Sequence, residues 1–168
     1  GIDEKDLMPW HYQGRYFQEA PLLYPIDLDK YYKGADLEQL TKDYYASIGL
    51  DITKVLANSS LYPQEGKNQH AFCTDIDTKG DVRVLCNITE NESWMSTMLH
   101  EFGHAVYMLG HDAANLPFAL RNSAHIFTTE AIAMMMERCS SNPLWLKEFR
   151  GISEKESQEI EENSFKQS

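Results

Sequence analysis

TENESWMSTMLHEFGHAVYMLG, residues 89–110, is the stretch on which the reading of this chain turns. Thr89 and Glu92 have T-x-x-E spacing, a capping box that predicts a helix from about Glu90. Gly110 supplies its stop. Trp94, Met98, Phe102 and Val106 recur one turn apart and predict a largely buried face. Inside that helix, HEFGH at 100–104 matches the H-E-x-x-H pattern. Positions i and i+4 lie on one helix face, so His100 and His104 can converge on one Zn²⁺ at about 2.0–2.1 Å. Glu101 is offset around the helix and can reach a metal-bound water without displacing it. The ion lowers the pKa of that water towards ~7, and a carboxylate so placed takes its proton. One turn of helix thus offers two ligands, His100 and His104, and a general base, Glu101.

A hydrolytic zinc site takes a third protein ligand and leaves one position open. His111 is seven residues beyond His104, past the glycine stop, and the H-x-x-G-x-x-H spacing of third-histidine sites is absent. Glu130 is the better candidate. It stands 26 residues after His104, inside the next predicted helix, and is the only acid between Asp112 and Glu137. A lone carboxylate in IFTTEAIAMMM (126–136) is costly unless something pairs with it. Metal ligation and a buried hydrogen bond both answer that need.

Working outward, Asp36 and Gln39 predict the start of a helix carrying Leu37, Leu40, Tyr44 and Ile48 at helical spacing, closed by Gly49. Residues 50–69 read as loop. HAFCTDIDTKGDVRVLCNI (70–88) alternates around Lys79-Gly80 and predicts a β-hairpin. With Lys79 and Gly80 as its central pair, Cys73 faces Cys86, which allows either a cross-strand disulfide or two free thiols. Ser123 is the expected cap of a helix over 124–139, Asn142-Pro143 interrupts it, and PLWLKEF (143–149) follows as a short segment. Ser153 with Glu156 caps a final helix. Its run SEKESQEIEE (153–162) reads as a solvated face. Met134, Met135 and Met136 read as core filler. Residues 1–35, with PWHYQGRYF (9–17) and PLLYP (21–25), read as irregular chain packed on a larger body.

A chain of 168 residues fits one domain with a substantial core. Its net charge of −11 argues against a nucleic-acid partner, because phosphate binding needs a basic surface. No apolar run is long enough to predict a membrane span. Three cysteines without C-x-x-C spacing exclude a zinc ribbon. Sequons stand at Asn58, Asn87 and Asn91, with Asn87 at the hairpin end.

HEFGHAVY (100–107), LPFALR (116–121) and the nine-residue step from Arg121 to Glu130 in TEAI resemble the angiotensin-converting-enzyme family of gluzincin dipeptidyl carboxypeptidases. His70-Ala71, the hairpin and Cys86 are similar to the family's substrate-binding strand and the cysteine after it. Tyr31–Leu50 is similar to the helix preceding that strand, and PWHY (9–12) is like bacterial members. The thimet and F-type oligopeptidases share HEFGH and a distant Glu, and stand as the alternative.

The resemblance implies a mainly α, zincin-like core with one small antiparallel hairpin. Residues 1–168 would form a single domain, the catalytic segment of a larger two-lobed metallopeptidase. It implies Zn²⁺ on His100, His104 and Glu130, with Glu101 as base and then proton shuttle. A peptide substrate would add to the edge strand at His70 and Ala71. The other implied partner is the remainder of the parent peptidase, and an extracytoplasmic setting is favoured.

Three departures qualify this. The family has an aspartate four residues after the ligand Glu to orient a zinc histidine; here that position is Met134, and Glu137 is the nearest substitute on the same face. One hairpin cysteine is displaced: Gln69 precedes His70 and Cys73 follows it. The Tyr and His that stabilise the family's oxyanion lie well beyond the zinc Glu, and no residue of this chain obviously replaces them. The chain is therefore expected to bind zinc and cleave peptides poorly by itself. A reading of a different class is a non-catalytic zinc-binding fragment.

Overall fold

The computed structural model describes residues 26–167, with Lys5 and Met8. The stretches at 9–17 and 21–25, including PWHY, lie outside the described residues. A 3-10 turn, Asp29–Tyr31, leads into helix α1, Leu37–Ser47. Asp36 caps α1 as its sequence predicts, accepting from the Gln39 N–H at 2.9 Å. Leu37, Leu40 and Tyr44 are buried, but Ile48 is exposed: it is the C-cap residue, where the backbone leaves the helical path. Gly49, at φ 80°, then turns the chain through the left-handed region that ends the helix.

The predicted loop after α1 contains a short helix, α2, Thr53–Asn58. Only Val55 and Leu56 of it are buried, and one apolar pair is too short a pattern to read as a period. Ser60 then bridges in parallel to the hairpin, donating to Val84 O and accepting from Cys86 N, both at 2.9 Å.

The hairpin forms, in a different register. Strand β1, Phe72–Asp75, pairs with β2, Val82–Leu85, so that Cys73 faces Val84 rather than Cys86. All three cysteines are free thiols. The cause lies in the turn. Lys79-Gly80 is not a two-residue connection; the turn closes wider, with Ile76 N donating to Asp81 O at 3.0 Å. Asp77 Oδ1 accepts from Lys79 N at 2.8 Å and Asp81 N at 3.2 Å, and Asp75 Oδ2 accepts from Gly80 N at 3.0 Å. These local carboxylate bonds replace the tight turn and slide the pairing by two residues, which preserves the faces of both strands.

Helix α3, Glu92–Gly110, runs through the centre and packs on α1, on both strands and on helix α4, Ile126–Glu137. Its cap is Asn91, whose Oδ1 accepts from Trp94 N at 2.8 Å, not the predicted Thr89 box. Glu92 is drawn elsewhere: its Oε1 accepts from Ser140 Oγ at 2.6 Å. The start of α4 also differs from expectation. His125 Nδ1, not Ser123, takes the Phe127 N–H at 3.0 Å. After α4, a 3-10 turn (Arg138–Ser141) leads to helix α5, Pro143–Arg150, with Asn142 as cap and Pro143 at its first position. Helix α6, Glu154–Gln167, starts at the predicted Ser153–Glu156 box and buries Ser157 and Ile160.

Tyr45, Met95, Met98, Leu99, Phe102 and Leu146 form the most deeply buried apolar layer. The Tyr45 hydroxyl donates to Leu99 O at 2.6 Å, tying α1 to α3. Of the three methionines expected in the core, only Met136 is buried. Met134 and Met135 are 45% and 56% exposed, because α4 packs on α3 through a narrow stripe and leaves its other faces open. Among the described residues, no helix is long and apolar enough to cross a membrane.

Candidate metal centre

Two histidines one turn apart on α3 meet one carboxylate from α4. His100 Nε2 and His104 Nε2 are 3.1 Å apart. Glu130 lies across from both, with Oε2 at 3.5 Å from His100 Nε2 and Oε1 at 3.6 Å from His104 Nε2. Tetrahedral ligands at 2.0–2.1 Å from a zinc ion are themselves about 3.3 Å apart, so these separations bracket the edge of a zinc tetrahedron. Among the described residues this trio is the one cluster of His, Cys, Asp and Glu able to hold a metal ion. Its N, N, O donor set suits zinc, and a fourth corner faces an open groove.

Close approach of the two helices makes the trio possible. A Cβ added at Gly103 would meet the Ala133 Cα at 2.8 Å, so only glycine permits this separation. The helices run in opposite directions at the contact: His104 meets Thr129, while His100, one turn back, meets Glu137.

The outer nitrogens are held as well. His100 Nδ1 is 2.6 Å from Glu137 Oε2, and His104 Nδ1 is 2.6 Å from Thr129 Oγ1. The Glu137 contact is the one anticipated from its place on the Glu130 face. Met134, where the resemblance puts an aspartate, is exposed and does not take this part. Thr129 carried no signal in the sequence, since a threonine beside Glu130 is unremarkable until the opposing helix is placed. Burial lowers the pKa of His104, assisted by neighbouring His100 and opposed by Glu130, which favours the neutral imidazole that a metal requires.

Glu101 is buried at 8% exposure. Burial raises its carboxyl above the usual range; the Glu130 charge adds to this, while His100 and a hydrogen bond from the Cys73 backbone oppose it. A general base near neutral pH gains from such lifting.

A groove of about 540 Å³ passes over the trio, lined by Ala71, Phe72, Cys73 and Met108 on one side and by Asn122, Ser123, Ile126 and Thr129 on the other, with Glu101 in its floor. Strand β1 borders it and pairs only with β2 among the described residues. Strand alternation turns the backbone of Ala71 and Cys73 away from β2, towards the groove. His70 is exposed just before β1, its N–H donating to Asn68 Oδ1 at 2.9 Å, and is not part of the lining. His111 is tied to Leu120 O at 2.8 Å, clear of the trio.

A family model described as angiotensin-converting enzyme matches residues 26–167, nearly all of the described chain. The chain belongs to that family. No individual curated protein matches it. As a member of the angiotensin-converting-enzyme family, it is of a peptidase lineage, and the trio is compatible with the zinc dependence general to that lineage. Family membership sets aside the thimet and F-type alternative.

Proposed function

We propose that this chain is the zinc-carrying catalytic segment of a dipeptidyl-carboxypeptidase-like enzyme. The observation that carries the reading is the convergence of His100, His104 and Glu130 at zinc-ligand spacing beneath a groove edged by β1. When bound, zinc supplies Lewis acidity at the open corner, polarising a carbonyl and acidifying water. The rest is the work of this chain's residues. The backbone of Ala71 and the carbonyl of Cys73, whose N–H is held by Glu101, bind an extended peptide as an added strand. His70, just upstream, flanks that strand and contacts the peptide where it leaves the groove. Glu101, kept basic by burial and aimed by the Cys73 N–H, takes a proton from the attacking water and returns it to the leaving nitrogen.

Groups that stabilise an oxyanion are scarce here. Beyond the ligand trio and Glu101, the groove offers the Asn122 amide and the Ser123 and Thr129 hydroxyls, and among the described residues its lining holds neither a tyrosine nor a further histidine. Loss of one such donor costs about 10²–10³ in rate. The remainder of the parent peptidase would supply those donors and the second wall of the groove. The exposed Ile126 and Phe127 beside the groove, 68% and 74% accessible, are consistent with such a partner. An extracytoplasmic setting is part of the same reading.

The test is zinc content by elemental analysis, paired with turnover of a peptide that has a free C-terminus. One zinc per chain with slow turnover is expected. A folded chain that takes up no zinc refutes the ligand assignment, and rapid turnover refutes the need for groups from elsewhere. In the parent enzyme, Glu101→Gln should retain zinc and lose turnover by at least about 10²-fold.

A further inference from the structure

We infer that Glu137 and Thr129 are positioning residues for the two imidazoles, and that they act differently: Glu137 fixes the tautomer of His100, whereas Thr129 adapts to a change of tautomer in His104. The inference rests on the reading of His100 and His104 as metal ligands. A carboxylate only accepts, so Glu137 Oε2, 2.6 Å from His100 Nδ1, places the proton of that ring on Nδ1. His100 Nε2 is then left with its lone pair, directed into the trio. His104 Nε2 lies 3.1 Å away. Two lone pairs at that distance repel unless a proton or a cation stands between them.

In the metal-free chain the proton is available. His104 carries it on Nε2 and donates to His100 Nε2, and its Nδ1 accepts from the Thr129 hydroxyl at 2.6 Å. Every polar atom from Glu137 through both rings to Thr129 is then satisfied in one unbroken chain. With a cation in the trio, both Nε2 atoms must offer lone pairs. His104 then holds its proton on Nδ1, with no net proton gained or lost. Its partner must now accept where it previously donated. A hydroxyl can do both, and a carboxylate cannot. Thr129 is 8% exposed, so water does not readily substitute for it. The invariant partner thus sits on the ring that never changes, and the adaptable one on the ring that does.

The test uses the chain as it stands. Long-range ¹H–¹⁵N spectra of the imidazoles, without metal, should show His100 protonated on Nδ1 and His104 on Nε2. Added zinc should move the His104 proton to Nδ1 and leave that of His100 in place. Zinc affinity, measured by competition with a chromophoric chelator, should fall about 10–100-fold in Glu137→Met and in Thr129→Val. Glu137→Gln keeps an acceptor, and Thr129→Ser keeps a hydroxyl; both should recover most of the loss. Melting of each metal-free variant establishes that it is folded, and the conservative pair carries the comparison where the apolar pair is not. The inference is overturned if metal-free His100 carries its proton on Nε2, or if folded Glu137→Met and Thr129→Val bind zinc within twofold of the wild-type chain. A wild-type chain that binds no zinc refutes the ligand reading instead, and the metal-free spectra still decide the part assigned to Glu137.

Discussion

Replacing Gly103 with alanine inserts one methyl group between α3 and α4. The new Cβ would stand 2.8 Å from the Ala133 Cα, with Met136 Cγ at 3.4 Å and the Ala133 Cβ at 3.5 Å. The closest atom is backbone, so no side-chain rotation relieves the contact. Restoring carbon–carbon separation to the ~3.5 Å floor of ordinary contact moves α4 by about 0.7 Å. Overpacking of a filled interface costs about 1–3 kcal/mol. The higher helix propensity of alanine returns roughly 1 kcal/mol. A net loss of about 0–2 kcal/mol lowers the melting temperature by no more than roughly 8 °C in a chain of this size. The effect on the site should be larger than the effect on the fold. Glu130 rides on α4, and zinc distances tolerate only about ±0.2 Å. A displacement of about 0.7 Å therefore takes the carboxylate out of coordinating range, and zinc affinity should fall at least tenfold. Urea denaturation of the metal-free protein and chelator competition measure the two effects separately. If Gly103→Ala is as stable as the wild-type chain and binds zinc equally well, the close approach of α3 and α4 does not set the trio.

Stripping zinc with a chelator should lower the melting temperature. At a free zinc concentration of 100 Kd, binding contributes about 2.7 kcal/mol, or roughly 5–10 °C here, and an unchanged melting curve would count against a metal site in the native state. Burial pushes the Cys73 and Cys86 thiols up to about 12, with the Glu101 charge adding to it. A thiolate-selective reagent at pH 8 should therefore label Cys139 first, and Cys86 only on unfolding; three equally fast thiols would contradict this. The sign for stability follows. Folded-state values lie above the ~8.5 of an unfolded thiol, so the contribution is complete below that pH and is lost as pH rises towards 12, which melting curves from pH 8 to 11 would record.

Much of the candidate metal centre was legible because its geometry is local. His100, Glu101 and His104 declare themselves through helical spacing, and Glu130 through being a lone acid in an apolar run. Glu137 was reachable by the same periodicity, seven residues on. What escaped depended on choices between near-equal local bonds. Asn91 caps α3 in place of Thr89 because Glu92, which a capping box needs, is claimed by Ser140 from a distant turn. His125 caps α4 in place of Ser123, since a ring nitrogen two residues before Phe127 can serve as well as a hydroxyl. The hairpin register was decided by Asp75 and Asp77 bonding to turn amides, and no pattern of apolar alternation distinguishes registers two residues apart. Met134 and Met135 misled for the opposite reason. An all-apolar helix predicts burial on every side, whereas α4 is covered only where it faces α3.

That one-sided burial explains how a short helix serves the candidate metal site from two places. Glu130 and Glu137 are seven residues apart, two turns or about 10.5 Å along α4. Both nevertheless touch His100, at Nε2 and Nδ1 respectively. A single imidazole spans the gap because it crosses the face of α4 between the two carboxylates, which reach towards it from opposite ends. Position 134 cannot do this. It is one turn from Glu130 yet 45% exposed, and its side chain leaves the stripe that meets α3. An aspartate there would have to reach inward past Ala133, which is wholly buried at the crossing beside Gly103. Glutamate at 137 is one turn further along, with a longer side chain, and arrives at Nδ1 without disturbing the crossing. The orienting carboxylate and the glycine contact are thus linked: moving the acid to 137 keeps the helices close enough for Glu130 to complete the trio.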